Sequence, residues 1–93
     1  MKTFSLEICT PERCLLKREV EFLAVPAYEG ELGVLPGHIR AVIQLLSGKV
    51  RFIAEQGTHY VLISGGYMDV NSNKVVIFAE GAESWVDIPE KKV

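Results

Sequence analysis

Tyr28-Glu29-Gly30-Glu31-Leu32-Gly33-Val34-Leu35-Pro36-Gly37-His38 carries three glycines and one proline in eleven residues. Gly30 follows Tyr28 and Glu29 and reads as a turn. Gly33, between Leu32 and Val34, reads as a bulge or a close backbone approach inside a short strand. Pro36-Gly37 is a second turn signal. The stretch is therefore a short apolar segment between two tight turns, with carboxylates at the first tip. A loop shaped in this way suits contact.

Outward from this loop the pattern is that of strands. Phe4, Leu6 and Ile8 alternate with Ser5, Glu7 and Cys9, the period of a half-buried strand. Thr10-Pro11-Glu12 ends it. Cys14 to Leu16 forms a short second strand, and Glu19 to Val25 a third that Pro26 closes. Ala41 to Leu46 suits a buried strand or one helical turn. Its shortness and the Ser47-Gly48 break favour a strand. Lys49 to Glu55 alternates more clearly, and Gln56-Gly57-Thr58 is a hairpin loop. His59 to Ser64 is apolar on both faces and reads as central. Gly65-Gly66 interrupts it, as at a kink or beneath another backbone. Tyr67 to Val70 resumes, Asn71-Ser72-Asn73 turns, and Lys74 to Glu80 is the last strong strand. Ala82 to Val86, with Trp85, is a weaker edge strand. Asp87-Ile88-Pro89-Glu90 reads as a helix start. The expected fold is all-β, a sandwich or flattened barrel. The domain is residues 1–87, with 88–93 as a tail.

Composition narrows the function. A chain of 93 residues is one domain, and 48% apolar residues fill one core. A net charge of −2 with scattered basic residues leaves no stripe for a polyanion, so no nucleic-acid partner is expected. No apolar segment precedes Glu7 as a signal peptide would, and none approaches the ~20 residues of a membrane span. Cys9 and Cys14 are expected to be free thiols in a reducing compartment.

Catalytic motifs fail at particular residues. Gly48-Lys49 lacks the Ser or Thr of a phosphate loop, because Val50 follows it. Ser64-Gly65-Gly66 lacks the first glycine of a nucleophile elbow, where Leu62 stands. Cys9, Cys14, His38 and His59 are dispersed, so no metal site is expected. Neither thiol has a cation that the sequence places beside it. Glu29 and Glu31 are solvated loop charges or contact residues, and His38 is a turn residue or an interface residue.

Four blocks, in order, carry a resemblance. They are Phe4 to Ile8, Glu29-Gly30-Glu31-Leu32-Gly33-Val34-Leu35-Pro36-Gly37-His38, Ser47 to Arg51, and Ile63-Ser64-Gly65-Gly66-Tyr67-Met68-Asp69-Val70 running on to Asn73–Ala79. Together they resemble the amino-terminal β-sandwich domain of the epsilon subunit of the rotary ATP synthase. The resemblance implies ten strands and a non-catalytic central-stalk subunit with no cofactor. It implies two partners, the gamma subunit and the membrane c-ring, with membrane association only through them. Tyr28, Glu29, Gly30, Glu31, Leu32, Val42 and Ile43 correspond to ring contacts. Thr10, Pro36, Gly37 and His38 correspond to gamma contacts. The implied setting is the cytoplasmic face of a bacterial plasma membrane, or an organellar inner or thylakoid membrane. The family's carboxy-terminal helical hairpin has no counterpart in these residues, so coupling without helix-based self-inhibition, ATPase activity or ATP binding is expected of them. Two other readings are a stand-alone β-barrel holding a small ligand in its mouth and a small enzyme on a cupin-like scaffold. The first requires a deep apolar pocket, the second clustered metal ligands.

Overall fold

The computed structural model describes residues 2–37, 40–55 and 57–82. Seven strands follow one another: β1 (Phe4–Cys9), β2 (Cys14–Val20), β3 (Phe22–Ala27), β4 (Gly30–Val34), β5 (Ala41–Ala54), β6 (Gly57–Asn71) and β7 (Lys74–Ala79). They form one sheet in the order β2-β1-β7-β6-β5-β3-β4. Every pair is antiparallel except β1 with β7.

Length dictates how this sheet packs. β5 has 14 residues and β6 has 15. Straight, they would reach about 50 Å at roughly 3.4 Å per residue, yet the longest dimension of the molecule is 33 Å. Both strands therefore bend, and they bend at the same level. Leu45 pairs with Gly66 and Ser47 with Ser64. Before the bend β5 turns Ile43 and Leu45 inward. After it the inward set is Val50, Phe52 and Ala54. In β6 the inward set changes from Val61 and Ile63 to Met68 and Val70. The parity of burial switches in both strands, as it must when a strand passes from one layer to the other and keeps its apolar side inside.

The two layers follow from this corner. One holds β2, β1, β7, the second half of β6 and the first half of β5. The other holds the first half of β6, the second half of β5, β3 and β4. Between them lies a single core that includes Phe4, Leu6, Ile8, Leu23, Val25, Phe52, Met68 and Ile77. Arg18 Nη2 reaches Glu55 Oε1 at 3.4 Å, tying β2 to the far end of β5.

Several expectations change in detail. Among the described residues seven strands stand where ten were expected of the chain, because Ala41–Leu46 with Lys49–Glu55, and His59–Ser64 with Tyr67–Val70, are continuous through the corner. Counted by layer the seven become nine, and Ala82 bridges to Ile63 at the position of a further edge. The expected strand from Glu19 to Val25 is broken at Glu21, and Pro26 lies inside β3 rather than closing it. Proline is tolerated there because the β3–β5 ladder shifts register between Ala24 and Ala27, so no N–H is needed. Cys9 and Cys14 are disulfide-bonded, not free. The β1–β2 register places them opposite each other, which the sequence alone does not reveal. Trp85, the helix start at Asp87-Ile88-Pro89-Glu90, and the tail 88–93 lie outside the described residues.

Gly66 holds the corner. A Cβ there would overlap the Phe78 carbonyl oxygen and stand 2.9 Å from the Ala79 Cα, and its φ is +136°. Gly66→Ala is expected to lower the unfolding free energy by about 3 kcal/mol or more, from overpacking and backbone strain together. That is a large share of the roughly 5–14 kcal/mol typical for this size. Urea unfolding followed by far-UV circular dichroism measures it, and an unchanged midpoint would contradict it.

Candidate functional site: a protruding turn and an outer groove

β3 and β4 close through a two-residue turn, since Ala27 pairs with Gly30. Gly30 has φ +119°. The turn expected there is thus present, and Tyr28 at its tip is 85% exposed. Glu29 is also exposed, while Leu32 is half-buried against the core. Glu31 Oε1 meets Arg51 Nη2 at 3.3 Å, and the Arg51 guanidinium lies over the Phe22 ring, 5.3 Å from its centroid. Gly33 shows no bulge, because the β3–β4 register runs unbroken. It is a close approach, to a side chain: a Cβ there would stand 3.2 Å from the edge of the Phe22 ring.

Ala27 also pairs with Leu45. The turn therefore emerges beside the first half of β5, which carries Val42 and Ile43. Val42 is 74% exposed, whereas Ile43 packs against the core. Strand alternation separates these neighbours, so of the two only Val42 offers its side chain to solvent.

Thr10 lies in the β1–β2 turn, where its N–H donates to the Arg13 carbonyl at 2.8 Å. It lines a hollow of about 610 Å³ with Leu45, Leu46, Gly66, Tyr67 and Phe78 among others. Tyr67 and Phe78 are opposite each other on β6 and β7 and are 58% and 50% exposed. No motif in the sequence marks this aromatic pair. Only the strand pairing reveals it. Pro36 and Gly37 form the second expected turn, with Gly37 at φ +82°. They line a different hollow with Lys2, Thr3 and Asn73. Thr3 precedes β1 and Thr10 follows it, so the two hollows are separated by a six-residue strand, about 20 Å. Thr10 and Pro36-Gly37 are thus not brought together, and His38 lies outside the described residues.

The hollow at Thr10 is on the outer surface of the sandwich, and the interior is filled with aliphatic and aromatic side chains. The exposed turn and the groove thus lie on the outside of a packed core. The chain belongs to the family described as ATP synthase, Delta/Epsilon chain, beta-sandwich domain, whose model matches residues 3–85. It is 42% identical over 87 residues to the ATP synthase epsilon chain of Nitratidesulfovibrio vulgaris, covering 94% of this chain and 65% of that one. It is 45% identical over 82 residues to the epsilon chain of Pelotomaculum thermopropionicum, covering 88% and 61%. The chain thus spans a little under two thirds of the length of these relatives. A chain in the Euglena gracilis mitochondrial ATP synthase OSCP/F1/c-ring assembly superposes with a TM-score of 0.82 at 31% identity, covering 87% of this chain and 52% of that one. A chain from the central stalk and c-ring of the Tetrahymena thermophila mitochondrial enzyme shares the fold, with a TM-score of 0.74 at 14% identity.

Two substitutions separate the shape of the turn from its charge. Gly30→Ala is expected to cost about 1–2 kcal/mol, because a Cβ there meets nothing within 4 Å and only the backbone conformation is strained. Glu31→Gln is expected to change stability by less than about 1 kcal/mol, since its ion pair is largely exposed. Denaturant midpoints of the two variants test this, and equal losses would contradict it.

Proposed function

We propose that this domain is a non-catalytic element of the ATP synthase central stalk, linking the gamma subunit to the c-ring so that ion translocation is coupled to ATP synthesis or hydrolysis. The observation that carries the reading is the joint pattern of a filled interior and two separate exposed features, on a chain whose relatives are epsilon chains. The turn Tyr28–Leu32, with Val42 and Ile43 beside it, is the ring-facing region. Thr10 with the groove it borders is one gamma-facing region, and Pro36, Gly37 and His38, at the other end of β1, are a second set of gamma contacts. Separate regions suit an element held between two partners. The exposed aromatic pair Tyr67 and Phe78 adds to the gamma side the kind of side chain that dominates interfaces. Acidic groups at the turn pair weakly with basic or amide groups on the ring, at about 0–1 kcal/mol each, so the apolar contact supplies most of the affinity. The domain meets the membrane only through these partners.

Calorimetric titration with the gamma subunit of the same source tests the assignment. Saturable one-to-one binding is expected. Phe78→Asp is expected to weaken it by about 2 kcal/mol, roughly 30-fold, while Tyr28→Ala leaves it unchanged. With assembled c-ring and gamma the pattern should invert, Tyr28→Ala now weakening association. Absence of binding between folded partners would overturn the assignment, and loss of gamma binding in Tyr28→Ala would overturn the division of the two regions.

A further inference from the structure

The end of the β1–β2 hairpin collects three metal-ligating side chains. Glu7 and Cys9 are two residues apart on β1 and so face the same side. A register shift between Ile8 and Cys9 sets Cys9 opposite Cys14. The ligand atoms of Glu7, Cys9 and Cys14 all lie within 4.8 Å of one another. Cys9 is buried and Cys14 exposed, so the group has a dry floor and an open approach. Lys74 Nζ stands 3.3 Å from Glu7 Oε2 and holds that carboxylate on this face, leaving its other oxygen available.

We propose that, once the Cys9–Cys14 bond is reduced, Glu7, Cys9 and Cys14 form a binding site for a thiophilic divalent cation such as Zn²⁺. This stands independently of the stalk assignment. Reduction requires two electrons and two protons, which low-molecular-mass thiols supply. A thiolate attacks the exposed Cys14 sulfur, the bond breaks, and Cys9 leaves and takes a proton. A second thiolate then attacks the mixed disulfide, releasing Cys14, which is protonated, together with the oxidised small thiol. Zn²⁺ displaces the protons of both cysteines and forms two Zn–S bonds. The Glu7 carboxylate supplies a third ligand and water a fourth. In a tetrahedral site with Zn–S near 2.3 Å the sulfurs stand about 3.8 Å apart, so the two sulfurs, bonded in the disulfide, move apart once it is reduced. Two thiolates favour Zn²⁺ over Mg²⁺ and Ca²⁺, which take oxygen ligands. The four residues between Cys9 and Cys14 also fall within the spacing common among zinc ligands. Sequence spacing alone does not reveal this group, because Glu7 precedes the cysteine pair and the register alone brings it near.

The test uses the full chain reduced with a phosphine, which becomes the phosphine oxide and leaves no competing thiol. Zn²⁺ is titrated against a chromophoric chelator. One equivalent is expected to bind. Cys14→Ser should lose more than about 100-fold in affinity, since even the outer partners of metal ligands cost about 10–100-fold. Glu7→Gln should lose about 10-fold. The oxidised wild-type chain, which has the described fold and no thiolate, should not bind, and this control does not depend on whether a variant folds. Cd²⁺ serves as a second probe, through thiolate-to-metal charge-transfer absorption that saturates at one equivalent. Absence of one-to-one binding in the reduced chain would overturn the proposal. So would Zn²⁺ affinity in the oxidised chain or in Cys14→Ser equal to that of the reduced wild type.

Discussion

The structure depends on the contact between the Gly66 backbone and the Phe78–Ala79 backbone. β5 and β6 are each too long for one layer, and both turn the corner at this point. With no side chain at Gly66, β7 lies directly against the bend and continues the pairing of β6 into the second layer. The same bend switches the parity of burial, so Val61 and Ile63 on one side and Met68 and Val70 on the other all reach one core. A side chain at this position would push β7 away from β6 within the layer they share. The apolar residues of β5 and β6 form a single core only because the backbone bends where it does.

The corner also creates the groove. Leu45, Leu46, Ser47, Ser64, Gly65 and Gly66 are the bent residues, and they line the hollow that Thr10 borders. Tyr67 and Phe78 are exposed there because alternation with buried Met68 and Ile77 turns them to the outer face. The free edges are treated differently. β2 carries Lys17, Arg18 and Glu19, and β4 carries Glu31, charges that discourage pairing with another chain. Large exposed apolar side chains thus stand at the corner, at the protruding turn and at Leu35 beyond β4, and charge guards the edges.

Much of this was legible in the sequence. Alternation in Phe4–Ile8 and Val75–Ala79 marks strands, and Gly30 and Pro36-Gly37 mark turns that are present. Gly65-Gly66 signalled a kink or a close backbone, and it is both. Continuity through a kink was not legible. Ser47-Gly48 and Gly65-Gly66 have the composition of strand ends, and only the pairing partners on either side show that the ladder persists. Register was likewise hidden. It decides that Cys9 meets Cys14, that Glu7 joins them, and that Tyr67 stands beside Phe78, because these are long-range facts about which residues face each other. Burial of Ile43 beside exposed Val42 follows from alternation, once the strand is certain.

Leu45 connects the two candidate regions. It is 2% exposed, pairs with Ala27 at the base of the Tyr28 turn, and pairs with Gly66 at the corner. The turn is therefore anchored to the residues that shape the groove, through backbone pairing rather than through a loop. A stalk element must pass force between partners without yielding, and a flexible connection would dissipate it. Between Tyr28 and Phe78 the path runs through Ala27, Leu45, Gly66 and Ala79; its three inner steps are strand pairs in one sheet, and its two outer steps are chain neighbours. Ala27, Leu45, Gly66 and Ala79 all lie within strands, with the register shift of β3 falling just before Ala27. Stiffness between the two regions is thus a property of the sheet itself, and the stalk reading requires no hinge to be locked when the partners bind.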